Sequence, residues 1–209
     1  MKILKYLLFL ILFVVGIALL SALFIPKTYE VKKQVYVDLP PDTVFAYVSR
    51  LKNQGLFSVW AKMDPNMKVD FEGADGTVGF LMRWDSPIES VGAGEQEIVG
   101  IEEGKRINYK IRFIRPFKSE SDSWMSTRAD VSSGSTEIEW GMTGSMPYPM
   151  NLFLVLMDLE GSIGRDLQNS LNNLKGILEQ QTSTHAASAI SASPTAIYYA
   201  FSIRRSLSI

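Results

Sequence analysis

The sequence predicts an α+β domain in which one strand, two short helices and six further strands lead into a long C-terminal helix, with an apolar helix in front of them all. Three observations carry this. A run of 20 residues from Tyr6 to Ile25 holds no charge, which matches the ~20 apolar residues that cross a bilayer as a helix. Between Thr28 and Gly144, short segments alternate polar with apolar residues and are separated by tight turn signals, so successive strands should be antiparallel neighbours. From Asn151 to Gln181, apolar residues recur at steps of three and four, the signature of a helix with one covered face.

The apolar run is bounded by Lys5 on one side and Pro26-Lys27 on the other. A cleaved signal peptide would need a shorter apolar region and a small residue where Leu20 stands in Leu20-Ser21-Ala22, so residues 1–27 read as an uncleaved single-pass anchor. Lys2 and Lys5 face Lys27, Lys32 and Lys33 across it, which hardly discriminates orientation. The short tail ahead of the run favours a domain on the exported side, periplasmic or extracellular.

Thr28 to Asp38 alternates Val31, Val35 and Val37 with polar residues and reads as the first strand. Pro40-Pro41-Asp42 ends it, and Asp42 is expected to cap a helix through Val44, Phe45, Tyr47 and Val48. A second helix is expected over Leu51 to Val59. Six strands follow from Lys68, with breaks at Gly73-Ala74-Asp75-Gly76, Glu103-Gly104-Lys105 and Ser132-Ser133-Gly134-Ser135. Ile107, Tyr109, Ile111 and Phe113 share one face against Asn108, Lys110 and Arg112, and Ile138, Trp140 and Met142 oppose Glu137 and Glu139. One sheet face is therefore covered and one is wet.

Pro147 and Pro149 mark the junction before the last helix, with Asn151 as its N-cap. About 30 residues make a helix about 45 Å long, enough to cross a small sheet. Its stripe runs through Phe153, Leu156, Glu160, Ile163, Leu167, Leu171, Leu174 and Leu178. Gly161 and Gly164 imply a close approach or a bend, because each costs about 1 kcal/mol of helix propensity relative to Ala. The domain spans 28–181. Residues 182–209, rich in Ser and Ala with Arg204 and Arg205, form a low-complexity tail expected to be disordered or weakly amphipathic.

Composition removes several chemistries. The 209 residues contain no Cys and a single His, His185, beyond the long helix. Disulfides, thiolate nucleophiles, Ser-His pairs and His-based metal clusters are therefore excluded from the domain, and neither a metal nor a cofactor is expected. Positions 38–203 carry 14 basic and 21 acidic residues, a net −7, so a nucleic-acid partner, which needs clustered Lys and Arg, is not expected.

The covered face is rich in aromatics and Met. Phe80, Met82 and Trp84 come from one strand and Tyr109 and Phe113 from another, and Met125, Trp140 and Met142 come from the last two. Such residues commonly fill a core, and together they also suit the wall of a cavity for an apolar ligand. Trp60, behind the second helix, and Phe153, Met157 and Glu160 of the long helix complete the candidate ligand-binding set. Glu160 has two readings: at the edge of the stripe it reaches solvent, or it projects into the cavity and fixes the polar head of a ligand.

In this order of elements, LPPDTVFAYVSRLKN at Leu39 to Asn53, SVWAKMDPNM at Ser58 to Met67, GADGTVGFLMRWDS, GAGEQEIVGIEEGKRINYKIRF and the closing GRDLQNSLNNLKGILE resemble the SRPBCC superfamily, in particular its bacterial membrane-anchored members. This is the helix-grip fold of START lipid-transfer domains, birch-pollen-allergen-like proteins and polyketide cyclases. One departure is Phe57 three residues before Trp60, where such sequences often carry Trp-x-x-Trp. The resemblance covers about residues 28 to 181 and implies a curved seven-stranded antiparallel sheet gripping the C-terminal helix, with an elongated cavity between them. It implies no particular reaction.

Three functions follow. The leading one is a membrane-tethered module holding a lipid, quinone or polyketide-like molecule between sheet and helix. A cyclase or dehydratase is the second; with no His or Cys, its acid-base work would fall to carboxylates, Tyr109, or Arg83 and Arg112, and alternation puts both arginines on the wet face. The third is an interaction domain whose interior is filled by its own side chains.

Overall fold

A computed structural model describes the backbone of residues 2–192 and the side chains of residues 2–181. Helix α1, Lys2–Ala22, is long and apolar enough to cross a membrane and is not covered by the rest of the chain. Strand β1, Thr28–Val37, follows, and then come α2, Pro41–Val48, α3, Leu51–Phe57, and α4, Val59–Met63. Six strands come next: β2, Lys68–Glu72; β3, Leu81–Asp85; β4, Ala93–Glu102; β5, Arg106–Arg115; β6, Ser119–Ala129; and β7, Thr136–Ser145. Two helices, α5, Leu152–Leu156, and α6, Leu159–Ala192, end the described chain. Residues 193–209 of the expected tail lie outside the described residues.

The strands form one seven-stranded sheet in the order β1-β7-β6-β5-β4-β3-β2, every pair antiparallel. The expected helix-grip architecture is thus present. Alternation decides the faces: along β5, Ile107, Tyr109 and Ile111 are buried, whereas Asn108 and Lys110 are partly exposed. Helix α6 lies along β1 and touches α3, α4 and β7. Its Leu167, Leu171, Leu174 and Leu178 are buried, each worth about 1.5–3 kcal/mol of removal from water.

Two local expectations are corrected at α2 and α3. Helix α2 begins at Pro41, with Pro40 rather than Asp42 at the cap; Asp42 lies in the first turn, where its carboxylate complements the helix dipole. The second helix is split at Ser58, whose backbone is extended. Helix α6 stabilises the split, because Ser170 Oγ accepts from the Val59 amide at 3.0 Å and Asn173 Nδ2 donates to the Phe57 carbonyl at 3.0 Å.

The long helix is corrected as well. It is interrupted between Leu156 and Leu159, where Asp158 adopts φ 45°, a left-handed conformation uncommon for a residue other than Gly. The break rotates the residues ahead of it off the stripe. Leu154 turns inward, while Phe153, Leu156 and Met157 are exposed, and Glu160, after the break in the first turn of α6, is exposed as well. The two glycines at the start of α6 differ in what a side chain would meet. A side chain at Gly161 would overlap the Asp158 carboxylate, and one at Gly164 would stand 3.0 Å from Lys33 Cε and 3.4 Å from Val31 Cγ1 of β1.

Register defines the two ends of the grip. Thr28 pairs with Ser145, Phe113 with Ser119, and Ala93 with both Arg115 and Asp85. The start of β1, the β3–β4 loop, the β5–β6 turn and the β7–α5 connection therefore share one end, the rim from which α1 departs. Helix α2 and the β2–β3 and β4–β5 loops lie at the far end.

Candidate functional site

The covered face of the sheet brings together eight of the twelve candidate residues, and Trp60 joins them from α4. Their environments divide the face in two. In the middle, Trp140 is packed edge-on by Phe57 at 5.8 Å and by Trp60 at 6.0 Å between ring centroids. Its Nε1 donates to Ser123 Oγ at 3.1 Å, and that hydroxyl donates to the Gly141 carbonyl at 2.8 Å. Tyr109 is fully buried, and its hydroxyl donates to the Val48 carbonyl at 3.5 Å. Burial pushes the phenol pKa well above its usual value, with the Asp75 carboxylate adding to the shift. Met125 and Phe80 are buried in the same core. Phe80 stacks on Phe71 at 5.9 Å, and Lys52 Nζ stands 5.0 Å from the Phe71 ring.

Toward the rim the lining changes. Met82 and Ile111 flank Gln96 on the neighbouring strands, and Ile111 is in turn paired with Ser121. Gln96 and Ser121 are both buried. Gln96 Nε2 is buried without a hydrogen-bond partner. A buried amide donor left unpaired costs about 1–3 kcal/mol. Trp84 lies across Gly94, where any side chain would collide with its ring, and meets Phe113 edge-on at 6.0 Å while its Nε1 donates to the Val91 carbonyl at 3.2 Å. Met82, Trp84 and Phe113 are half-buried, and Met142 is buried beside Val31 of β1.

Phe153, Met157 and Glu160 are not part of this lining. The break at Asp158 leaves Phe153 and Met157 exposed, and Glu160, in the first turn of α6, is exposed too, so it takes the solvent placement of its two readings. Sequence reasoning missed Gln96 and the inward serines Ser121 and Ser123. The parity signal was there, since Gln96 shares a face with Ile98, but a Gln between Glu95 and Glu97 reads as wet.

The two arginines considered for acid-base work stand on the outer face. Arg112 is held by Glu95 at 3.0 Å and Glu97 at 2.9 Å, and Arg83 by Glu72 at 2.9 Å. A separate, open depression of about 420 Å³ lies at the far end, lined by Asp42, Phe45, Ser49, Arg50, Gly76 and Glu103 among others. Among the described residues no three His, Asp or Glu side chains converge as a metal set.

Comparison with solved structures places this architecture. The chain superposes on Ara h 8.0201 with a TM-score of 0.51 at 14% identity, over 73% of this chain and 99% of that one. A protein of Mesorhizobium loti gives 0.52 at 15% identity, over 73% and 98%. The di-domain ARO/CYC StfQ from the steffimycin biosynthetic pathway gives 0.57 at 10% identity, over 75% of this chain and 52% of that one. At these identities the likeness is one of fold. No curated protein matches the chain in sequence. Residues 28–179 match the family model described as polyketide cyclase / dehydrase and lipid transport, and since that match takes in nearly the whole domain, the chain belongs to this family.

Proposed function

We propose that the chain is a membrane-tethered binding module that holds an apolar or amphipathic small molecule, of lipid, quinone or polyketide-like character, against the rim half of the sheet's covered face. The family and fold are those of proteins that bind hydrophobic ligands. The observation that carries the reading is Gln96. A buried amide donor without a partner, beside Met82 and Ile111, is costly in an empty interior and useful to a ligand that brings one acceptor on an apolar body. The tether is α1, which is uncovered and of bilayer-spanning length.

The middle of the face supports the same division of labour. Tyr109 and Trp140 have their polar atoms committed to Val48 and Ser123, which suits them to the floor of a site rather than to its recognition groups. A cyclase reading gains no comparable support, because Tyr109 is held protonated by its burial and Arg83 and Arg112 are tied to carboxylates on the opposite face.

The test is direct. The full chain, purified in detergent and incubated with total membrane extract, is analysed by native mass spectrometry and solvent extraction. A co-purifying apolar molecule whose retention falls in Gln96→Leu is the expected result. Protein that stays empty under all these conditions sinks the reading.

A further inference from the structure

The rim carries a cluster of exposed apolar side chains among its charged residues. Ahead of the break at Asp158, residues 152–157 read LFLVLM, and Val155, Leu156 and Met157 are 64%, 74% and 66% exposed, although α5 is anchored by buried Leu154. Phe117, in the turn between β5 and β6, is 75% exposed, and Ile114 and Ile88 are exposed on the same end of the sheet. Tyr148 and Met150 precede α5 and are exposed too. Each large apolar side chain left in water forgoes about 1.5–3 kcal/mol, and several such residues at one end mark an interaction surface rather than the scattered exposure of a monomer.

What covers this rim is indicated by where α1 leaves it. Helix α1 is in contact with α5. Asn151, fully buried immediately before α5, donates from Nδ2 to the Ala22 carbonyl at 2.7 Å and to the Ile25 carbonyl at 2.9 Å. Carbonyls at the end of a helix have no partners in the next turn, so these bonds fix the exit of the anchor against the domain. Between Ala22 and the first strand, Leu23 and Phe24 are exposed as well. A helix that ends at a bilayer surface and is clamped there to α5 holds α5 at that surface.

We propose that α5 and the Phe117 turn form a membrane-docking face, embedded in the interfacial layer of the bilayer from which α1 emerges, so that the rim half of the covered face opens onto lipid rather than onto water. The proposal rests on the reading of α1 as an anchor and extends it: the domain is held in one orientation on the bilayer, and an apolar ligand passes between bilayer and site without crossing solvent. Apolar side chains presented at a bilayer surface bury about 5–10 Å into the headgroup boundary.

The absence of Cys makes the test clean, since any introduced thiol is unique in the chain. Leu156→Cys and Phe117→Cys report the docking face, Val131→Cys reports the exposed β6–β7 turn at the far end, and Leu12→Cys reports the anchor. Each full-length variant carries an NBD label in phosphatidylcholine nanodiscs and is quenched in turn by doxyl-labelled phosphatidylcholine and by aqueous iodide. The expected result is strong lipid quenching at 12, 156 and 117, and strong iodide quenching at 131 alone. If 12 is quenched by lipid while 156 and 117 behave like 131, docking is wrong and the anchor stands. Shielding of 156 and 117 from both quenchers, as a protein partner would give, also overturns docking. Iodide access at 12 sinks the anchor reading and the proposal together.

Discussion

Asn151 donates to the backbone carbonyl of Ala22 across 129 positions of sequence, joining the last residue of the first helix to the turn before α5 at 2.7 Å. The same amide nitrogen reaches Ile25 at 2.9 Å. This makes helix α1 part of the folded domain rather than a loose leash. Asn151→Ala should strand both carbonyls and destabilise the full chain by about 1–3 kcal/mol, read as a lower denaturation midpoint in detergent. Unchanged stability would mean that the link is incidental.

Trp140 is the second test, and it separates ring from hydrogen bond. Trp140→Phe retains an aromatic body between Phe57 and Trp60 but gives up the bond to Ser123, a loss of about 0.5–1.5 kcal/mol. Trp140→Ala leaves a cavity against two edge-on rings and should cost about 3–5 kcal/mol. Equal effects of the two substitutions in chemical denaturation would show that the ring contributes little.

Gln96 predicts a trade. Gln96→Leu removes a buried donor that has no partner and should raise the melting temperature of ligand-free protein, while lowering its retention of amphipathic ligands. A melting temperature that falls would mean that the amide is satisfied by a group that this interior already supplies.

Tyr109 sets an alkaline limit. Its folded-state pKa is raised above the usual 10.0, mainly by burial, so the neutral phenol is favoured by folding. The associated stability is fully present below pH 10 and is lost as pH rises beyond it, because the unfolded phenol ionises first. Melting temperature should therefore fall between pH 9 and 11, and Tyr109→Phe should flatten that fall. Parallel pH profiles for the two proteins would rule Tyr109 out as the cause.

Why the sheet could be read from the sequence and the start of the long helix could not is a matter of phase. Along β5 and β7, apolar and polar residues alternate because one face is covered and the other meets water, so each residue declares its side. In residues 152–157, LFLVLM, every position is apolar, and any helical phase fits. Extending the stripe of Leu167, Leu171 and Leu174 backward through that run put Phe153 and Leu156 on the covered side, and only the left-handed Asp158 reveals the slip. Glu160 keeps the phase of the stripe but sits in the exposed first turn of α6. The covered face itself was legible for the same reason that β5 was. Its polar member Gln96 was not, since a lone inward amide between two outward glutamates has the appearance of one continuous wet stretch.

Gly164 offers a last test of how closely α6 lies on β1. A Cβ there would stand 3.0 Å from Lys33 Cε and 3.4 Å from Val31 Cγ1. The nearer atom belongs to the far end of a flexible, exposed side chain that can move at little cost, and the farther one is at ordinary contact distance. Replacing Gly by Ala in a helix interior gains up to about 1 kcal/mol of propensity. Gly164→Ala should therefore be neutral or stabilising. Gly164→Leu must place a branched chain against Val31 and lever α6 off the edge strand, which should cost about 1–3 kcal/mol. The pair is measured by denaturant unfolding of the full chain. If Leu is accepted as readily as Ala, the helix does not press on β1 at this point, and the glycine has no role in the grip.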